Sequence, residues 1–188
     1  MTRAILFLMC GLAVAGIVDR VAVVIDNKVI TESEVQDEVR LTEFLNNQPL
    51  DLSAAARKTA AERLVDQTLI HNEMQAAGYA APSPTETDTL LRNFRQQRYP
   101  TTAAYQAALT RYGITEDQLK KHLAWEVAAL RFTDLRFGSM PNAPATQSAD
   151  RSADRAAPGE SSVDQQMEAW LKHARTNSKI VFKAEAFQ

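Results

Sequence analysis

A mainly helical domain with a small antiparallel sheet joining its two ends is the fold class this sequence predicts, on three observations. Glycine is scarce, at 6 of 188 residues, and alanine is abundant, a balance that favours helices over a many-turned β architecture. Three Ser/Thr-x-x-Glu/Gln motifs, at Thr31, Ser83 and Thr115, each open onto apolar residues spaced at a helical period. Runs rich in β-branched residues stand near both ends, at Arg20–Ile25 and Lys179–Phe182.

The elements follow in order. Arg20–Ile25 reads as a buried strand, Asp26-Asn27-Lys28 as a turn, and Val29-Ile30 as the return arm of a hairpin. Thr31 and Glu34 form a capping box, so a helix is expected to about Asn46 with Val35, Val39, Thr42 and Leu45 inward. Ser53 caps the next helix, which runs to Ala77 and stops at Gly78. Its Leu64, Val65 and Leu69 face one way and Ile70, Met74 and Ala77 the other, so it needs two neighbours and is the central element. Ser83 and Pro84 open a helix to Arg98, and a shorter one spans Thr102–Tyr112 and closes at Gly113. Thr115 and Gln118 open the longest helix, to Phe137. It carries one stripe of Leu119, Leu123, Val127, Leu130 and Phe137, and another of Trp125, Ala128, Phe132 and Leu135. A last helix presents Val163, Met167, Trp170, Leu171 and Ala174 before the strand Lys179–Phe182. Neither is stable alone, so both are expected to dock back, the strand beside the N-terminal hairpin.

Two segments read as something other than folded domain. Residues 1–15 combine a basic start at Arg3, an apolar stretch from Ala4 and the small-residue site Ala13-Val14-Ala15, the pattern of a cleavable secretory signal. The apolar stretch is about 15 residues, short of the ~20 that span a membrane, which sets an uncleaved anchor second. Cys10 is the single cysteine, so a mature chain starting near Gly16 has no disulfide and depends on packing. Residues 138–162 hold three prolines, many Ser and Ala, and Met140 as their one large apolar group, so they read as a disordered linker between a domain at 16–137 and the returning segment 163–188.

Composition narrows the chemistry. A net charge of −2 and pI near 5.9 give no basic face for phosphates, so nucleic acid is not an expected partner. The helix–Gly–helix at Ala108–Leu123 is accordingly a structural coincidence with DNA-binding helix-turn-helix units. His71, His122 and His173 lack metal-ligand spacing, and no P-loop, G-x-S-x-G or G-x-G-x-x-G occurs, so no metal, cofactor or small-molecule substrate is expected. Trp125 and Phe132 leave two readings open: core packing, or an apolar wall offered to unfolded segments.

The order of elements resembles the N-terminal chaperone domain of the SurA family of periplasmic folding factors. Arg20–Val35 resembles that family's opening strand, turn and "ITxSEV" helix start. Arg63–Ile70 resembles its "RLIDxxLL" helix, and Tyr112–Leu119 its "GxTxxxL" start of the long helix. The family carries parvulin prolyl isomerase domains between the long helix and the C-terminal helix and strand. Here that slot is residues 138–162, a stretch of 25 against the roughly 90 such a domain needs. The resemblance therefore implies a periplasmic, ATP-independent chaperone without enzymatic activity, whose partners are unfolded envelope proteins, outer-membrane proteins among them. The expected client-contacting aromatics are Phe44, Tyr99, Tyr105, Trp125 and Phe137. The alternatives are a prolyl isomerase, which the family label suggests, and a non-catalytic envelope scaffold.

Overall fold

The computed structural model describes residues 19–138 and 160–188. The expected signal at 1–15 and most of the expected linker, 139–159, lie outside the described residues.

A β-branched run broken only by Ala22 forms β1 (Val21–Ile25), and Asp26, with a φ of 52°, turns the chain into β2 (Lys28–Thr31). An aspartate tolerates this left-handed backbone because its short side chain bonds locally. Here the bond reaches further: the Asp26 carboxylate accepts from the Lys179 amide at 2.8 Å, and its own amide donates to the Lys179 carbonyl at 2.9 Å. The turn thereby delivers β3 (Ile180–Phe182) to the open edge of β1. The sheet runs β2-β1-β3, both pairs antiparallel, with Val24 opposite Val29 on one side and Val181 on the other. An irregularity between Val21 and Val23 puts Ala22 and Val23 both in the core. A mainly helical chain with a small sheet uniting its two ends is what the sequence predicts and what the fold is.

Five of the six described helices start where hydroxyls cap them. Thr31 opens α1 (Glu32–Asn46) and Thr115 opens α5 (Glu116–Phe137), each with a reciprocal capping box. Ser53 caps α2 (Ala54–Ala76), Ser83 caps α3 (Pro84–Arg98), and Thr101 caps α4 (Thr102–Tyr112). At Ser83 the reciprocal bond is replaced, because the Glu86 carboxylate pairs with Arg131 of α5 instead. The last helix, α6 (Glu160–Asn177), begins three residues earlier than the expected Val163. After β3 a short 3₁₀ turn, Ala184–Phe187, seats Ala186 in the core.

Three clusters make up the interior. The first is aliphatic and small: Ala22, Val23, Ile25, Val35, Val39, Ala60, Ala61 and Val65, closed from the C-terminal side by Ile180, Phe182 and Ala186. The second is aromatic, joining Phe44 of α1 to Leu91 of α3, Tyr105 and Tyr112 of α4, and Leu119 and Leu123 of α5. The third sets Ile70 and Met74 of α2 against Phe132 and Phe137 of α5, with Trp170 and Leu171 of α6 packed on them. Helix α2 contributes Val65 and Leu69 to the first cluster and Ile70 and Met74 to the third, the two-sided packing its sequence predicts.

Helix α5 departs from expectation. Its buried line runs Leu119, Leu123, Ala128, Phe132, Phe137, and Leu130 and Leu135 are 65% and 62% exposed. The step of five between Leu123 and Ala128 is where the helix leaves the aromatic cluster and meets α2 and α6. The inward face rotates at that point and both leucines are carried outward. No helix among the described residues is long and apolar enough to cross a membrane.

Candidate functional site

Trp125 stands on α5 just after Leu123, at the point where the buried line rotates, and is half-buried. Helices α1 and α2 pack side by side, and α5 approaches α1 only through its N-terminal half. There the Gln118 amide donates to the Asp37 carboxylate at 2.6 Å. Beside that tie a groove opens between α1, α2, α5 and β2. One stretch, of about 340 Å³, has Leu41, Leu64, Gln67, Glu38, His122 and Trp125 in its lining. It continues into a second, of about 300 Å³, that shares Glu34, Leu64, Gln67 and Trp125 and reaches Val29, Ile30 and His71. A third recess, on Glu38, Gln67, His122 and Trp125, extends the groove toward Thr42 and Leu45. Trp125 borders all three.

Glu38 sits at the bottom of the groove and is only 5% exposed. Burial pushes its carboxyl above the ordinary glutamate range, opposed by the nearby charges of His122 and Arg63 and by hydrogen bonds from Gln67 and Thr42. The Gln67 amide donates to Glu38 Oε1 at 3.3 Å, and Arg63 Nε lies 3.6 Å from the same oxygen. His122 Nε2 in turn lies 3.3 Å from Glu126 Oε1. The arrangement holds a carboxyl, an amide and an imidazole under walls of Leu41, Leu64, Ile30 and Trp125. Such a floor can exchange hydrogen bonds with the main chain of an extended segment while the walls take its apolar side chains.

Of the five aromatics expected to contact clients, the groove contains one, Trp125. Tyr99 is half-buried and borders a different cavity, at the α3–α4 junction. Phe44, Tyr105 and Phe137 are core residues, at 2%, 0% and 9% exposure, and their assignment to an exposed surface is corrected. Phe44 is enclosed by Phe94, Tyr99 and Tyr112, with ring centroids 5.6 to 6.1 Å away. Tyr105 lies under the Arg95 guanidinium at 4.7 Å, and Phe137 packs edge-on to Phe132 at 6.0 Å. Of the two readings left open for the second α5 stripe, core packing applies to Phe132, which meets Trp170 at 5.4 Å.

Sequence reasoning missed Glu38, Gln67 and His122. A signal for Glu38 was present, because it lies between Val35 and Val39 on the inward arc of α1, where a carboxylate is out of pattern. Among the described residues no three His, Cys, Asp or Glu side chains are grouped as a metal site requires. No family model matches the chain, and no curated protein matches it significantly.

Proposed function

We propose that the chain is a periplasmic, ATP-independent chaperone of the SurA N-terminal type. Exported by its N-terminal signal, it holds unfolded envelope polypeptides, outer-membrane proteins among them, in the groove that Trp125 borders. The observation that carries this reading is the groove itself: an open, apolar-walled channel with a polar floor, running from Val29 past Trp125 to Leu41. A surface of this kind accepts varied sequences, since apolar area makes no directional demand and the floor addresses the main chain common to all of them. The return of β3 to the N-terminal hairpin, with α6 packed on α2 and α5, supports the same reading, because the resemblance implies a C-terminal helix and strand docked on the domain. The reading makes the protein a binder of chains and assigns it no catalytic step.

The test is suppression of aggregation of a urea-unfolded outer-membrane β-barrel protein diluted into buffer without nucleotide. The chain lacking residues 1–15 should suppress light scattering at a few-fold molar excess, and Trp125→Ala should lose most of that effect while keeping its helical circular dichroism. Equal protection by Trp125→Ala moves the client surface elsewhere. Absence of protection by the parent chain, with tight capture of one folded envelope protein, establishes the scaffold alternative. Acceleration of proline isomerisation in a short peptide establishes the enzymatic one.

A further inference from the structure

The sheet ends on one side in β2, and the bonds that β1 makes to β3 fix which way the main-chain groups of β2 point. The Asp26 amide donates to the Lys179 carbonyl and the Lys183 amide to the Ala22 carbonyl, both at 2.9 Å, so Ala22, Val24 and Asp26 address β3. Successive residues of an antiparallel strand turn their N–H and C=O to opposite sides. Val23 and Ile25 therefore address β2, and their partners Ile30 and Lys28 point back at them. Val29, between those two, directs its N–H and C=O away from the sheet. The next outward amide, that of Thr31, is taken by the Glu34 carboxylate at 2.7 Å. Among the described residues no hydrogen bond reaches the Val29 main chain.

This open donor and acceptor border the Trp125 groove. Lys28, Val29 and Ile30 all line its stretch of about 300 Å³, with Leu64 and Trp125 also in the lining. Side chains of successive strand residues alternate between the two faces, so three in a row share one cavity where it runs along the strand's edge. On the outer face of the sheet Val24 stands between Val29 and Val181, and these two flanking valines are 49% and 38% exposed.

We propose that an unfolded segment is held in the groove as a fourth strand on the open edge of β2, its main chain paired with the N–H and C=O of Val29. The inference rests on the chaperone reading of this groove and deepens it by naming the form the client takes. One residue of an extended chain carries the same two groups in complementary order, so it pairs with Val29 whatever its side chain. That residue continues the row Val181–Val24–Val29 on the outer face, and its two neighbours point to the other face, toward Leu64 and Trp125. The favoured client is thus an extended segment with a β-branched residue between two apolar ones, and proline at the paired position is rejected for want of its N–H.

The probe is a capped heptapeptide, Ser-Thr-Leu-Val-Leu-Thr-Ser, titrated into the chain of residues 16–188 and followed by amide NMR and hydrogen exchange. Exchange at Val29 should slow about tenfold at saturation, while Lys28 and Ile30, already bonded to β1, should keep their rates. N-methylation of the peptide's central valine removes one donor and keeps every side chain, and should weaken binding about tenfold. Val29→Pro loses only an outward N–H, as an edge strand tolerates, and should weaken binding similarly with the helical dichroism unchanged. The N-methylated peptide is read on the unaltered chain, so the test does not depend on that variant folding. A peptide that shifts Trp125 but leaves Val29 exchange unchanged, or equal binding of the N-methylated form, overturns the strand pairing and leaves the groove as the client site. Protection of Val29 that grows with protein concentration in the absence of peptide assigns the edge to a second copy of the chain and overturns it as well. Protection of Val29 by the peptide in a chain that fails to suppress aggregation overturns the chaperone reading and leaves the pairing standing.

Discussion

The two larger clusters of the interior are built to opposite plans. The aliphatic one is assembled from residues as far apart as Ala22 and Ala186, small side chains layered between a sheet and two helices. The aromatic one uses only residues between Leu41 and Leu123, with large rings set at an angle to one another among α1, α3, α4 and α5. The first depends on the C-terminal segment for its closing wall and the second does not touch it. A fold of this kind has one part that is nearly self-sufficient and another that exists only when both ends are present.

Truncation after Ser162 is the largest way to break that asymmetry. It removes Ala186 and the half-buried Trp170, Leu171, Ile180 and Phe182; full burial of a large apolar side chain is worth on the order of 1.5–3 kcal/mol, and these four contribute roughly half of that each. That sum is a large share of the ~5–15 kcal/mol of a whole domain. The shortened chain should bind a hydrophobic dye and lose its melting transition, while tyrosine near-ultraviolet dichroism from the aromatic cluster persists in part. Adding residues 161–188 as a peptide should restore the transition. An unchanged melting temperature would mean that the aliphatic cluster does not need its closing wall.

Phe132→Ala comes next. Its ring is fully buried among Tyr79, Phe137 and Trp170, and deletion of such a ring costs about 3–5 kcal/mol by cavity formation. Denaturant melts should show that loss, whereas Leu130→Ala on the same helix, being exposed, should stay within about 0.5 kcal/mol of the parent. A smaller effect is expected at Arg175, which pins α6 to α2 through the Asp66 carboxylate at 2.6 Å and the Glu62 carbonyl at 3.0 Å. With both partners about a third exposed, Arg175→Ala should cost about 1 kcal/mol, read as a lowered melting temperature that high salt narrows.

The smallest prediction concerns Glu38 and pH. Its folded pKa lies above the ordinary value of 4.5, so the folded state holds the proton more tightly than the unfolded chain does. The stability this confers is complete below pH 4.5 and is lost as pH rises through the folded pKa. Measured against Glu38→Gln, which has no proton to lose, the parent should therefore weaken as pH climbs from 4 toward neutrality. A difference that is flat with pH, or that grows in the other direction, would show that Arg63 and His122 outweigh burial at the floor of the groove.

Most of the fold was legible because its signals are local. Thr31 with Glu34, Ser53, Ser83 and Thr115 with Gln118 fix where helices begin through bonds made within three residues. The end-to-end pairing was legible for a different reason, since a lone β-branched strand after a helix has nowhere to go except an open sheet edge. The site was less so. Phe44 and Tyr105 are aromatic in either setting, and only the packing of α3 and α4 on α1 decides that they are enclosed. Leu130 and Leu135 each fit one of the two apolar stripes read in sequence, and the rotation of the α5 face is imposed by two different neighbours along its length. The groove at Trp125 is a space left between α1, α2, α5 and β2, lined from segments as far apart as Val29 and Trp125, and no local residue pattern encodes it.

Asp26 is the point on which the timing of assembly turns. Its carboxylate and amide both engage Lys179, a separation of 153 positions along the chain. A polypeptide made or threaded from its N-terminus therefore carries β1 with one edge bare until β3 has emerged. Contacts at such separation form late and slow a chain's acquisition of its native state. During that interval the bare edge is a template for any other extended strand nearby. Residue 179 is thus a clock as much as a contact: its arrival ends the period in which the nascent molecule is itself in need of protection.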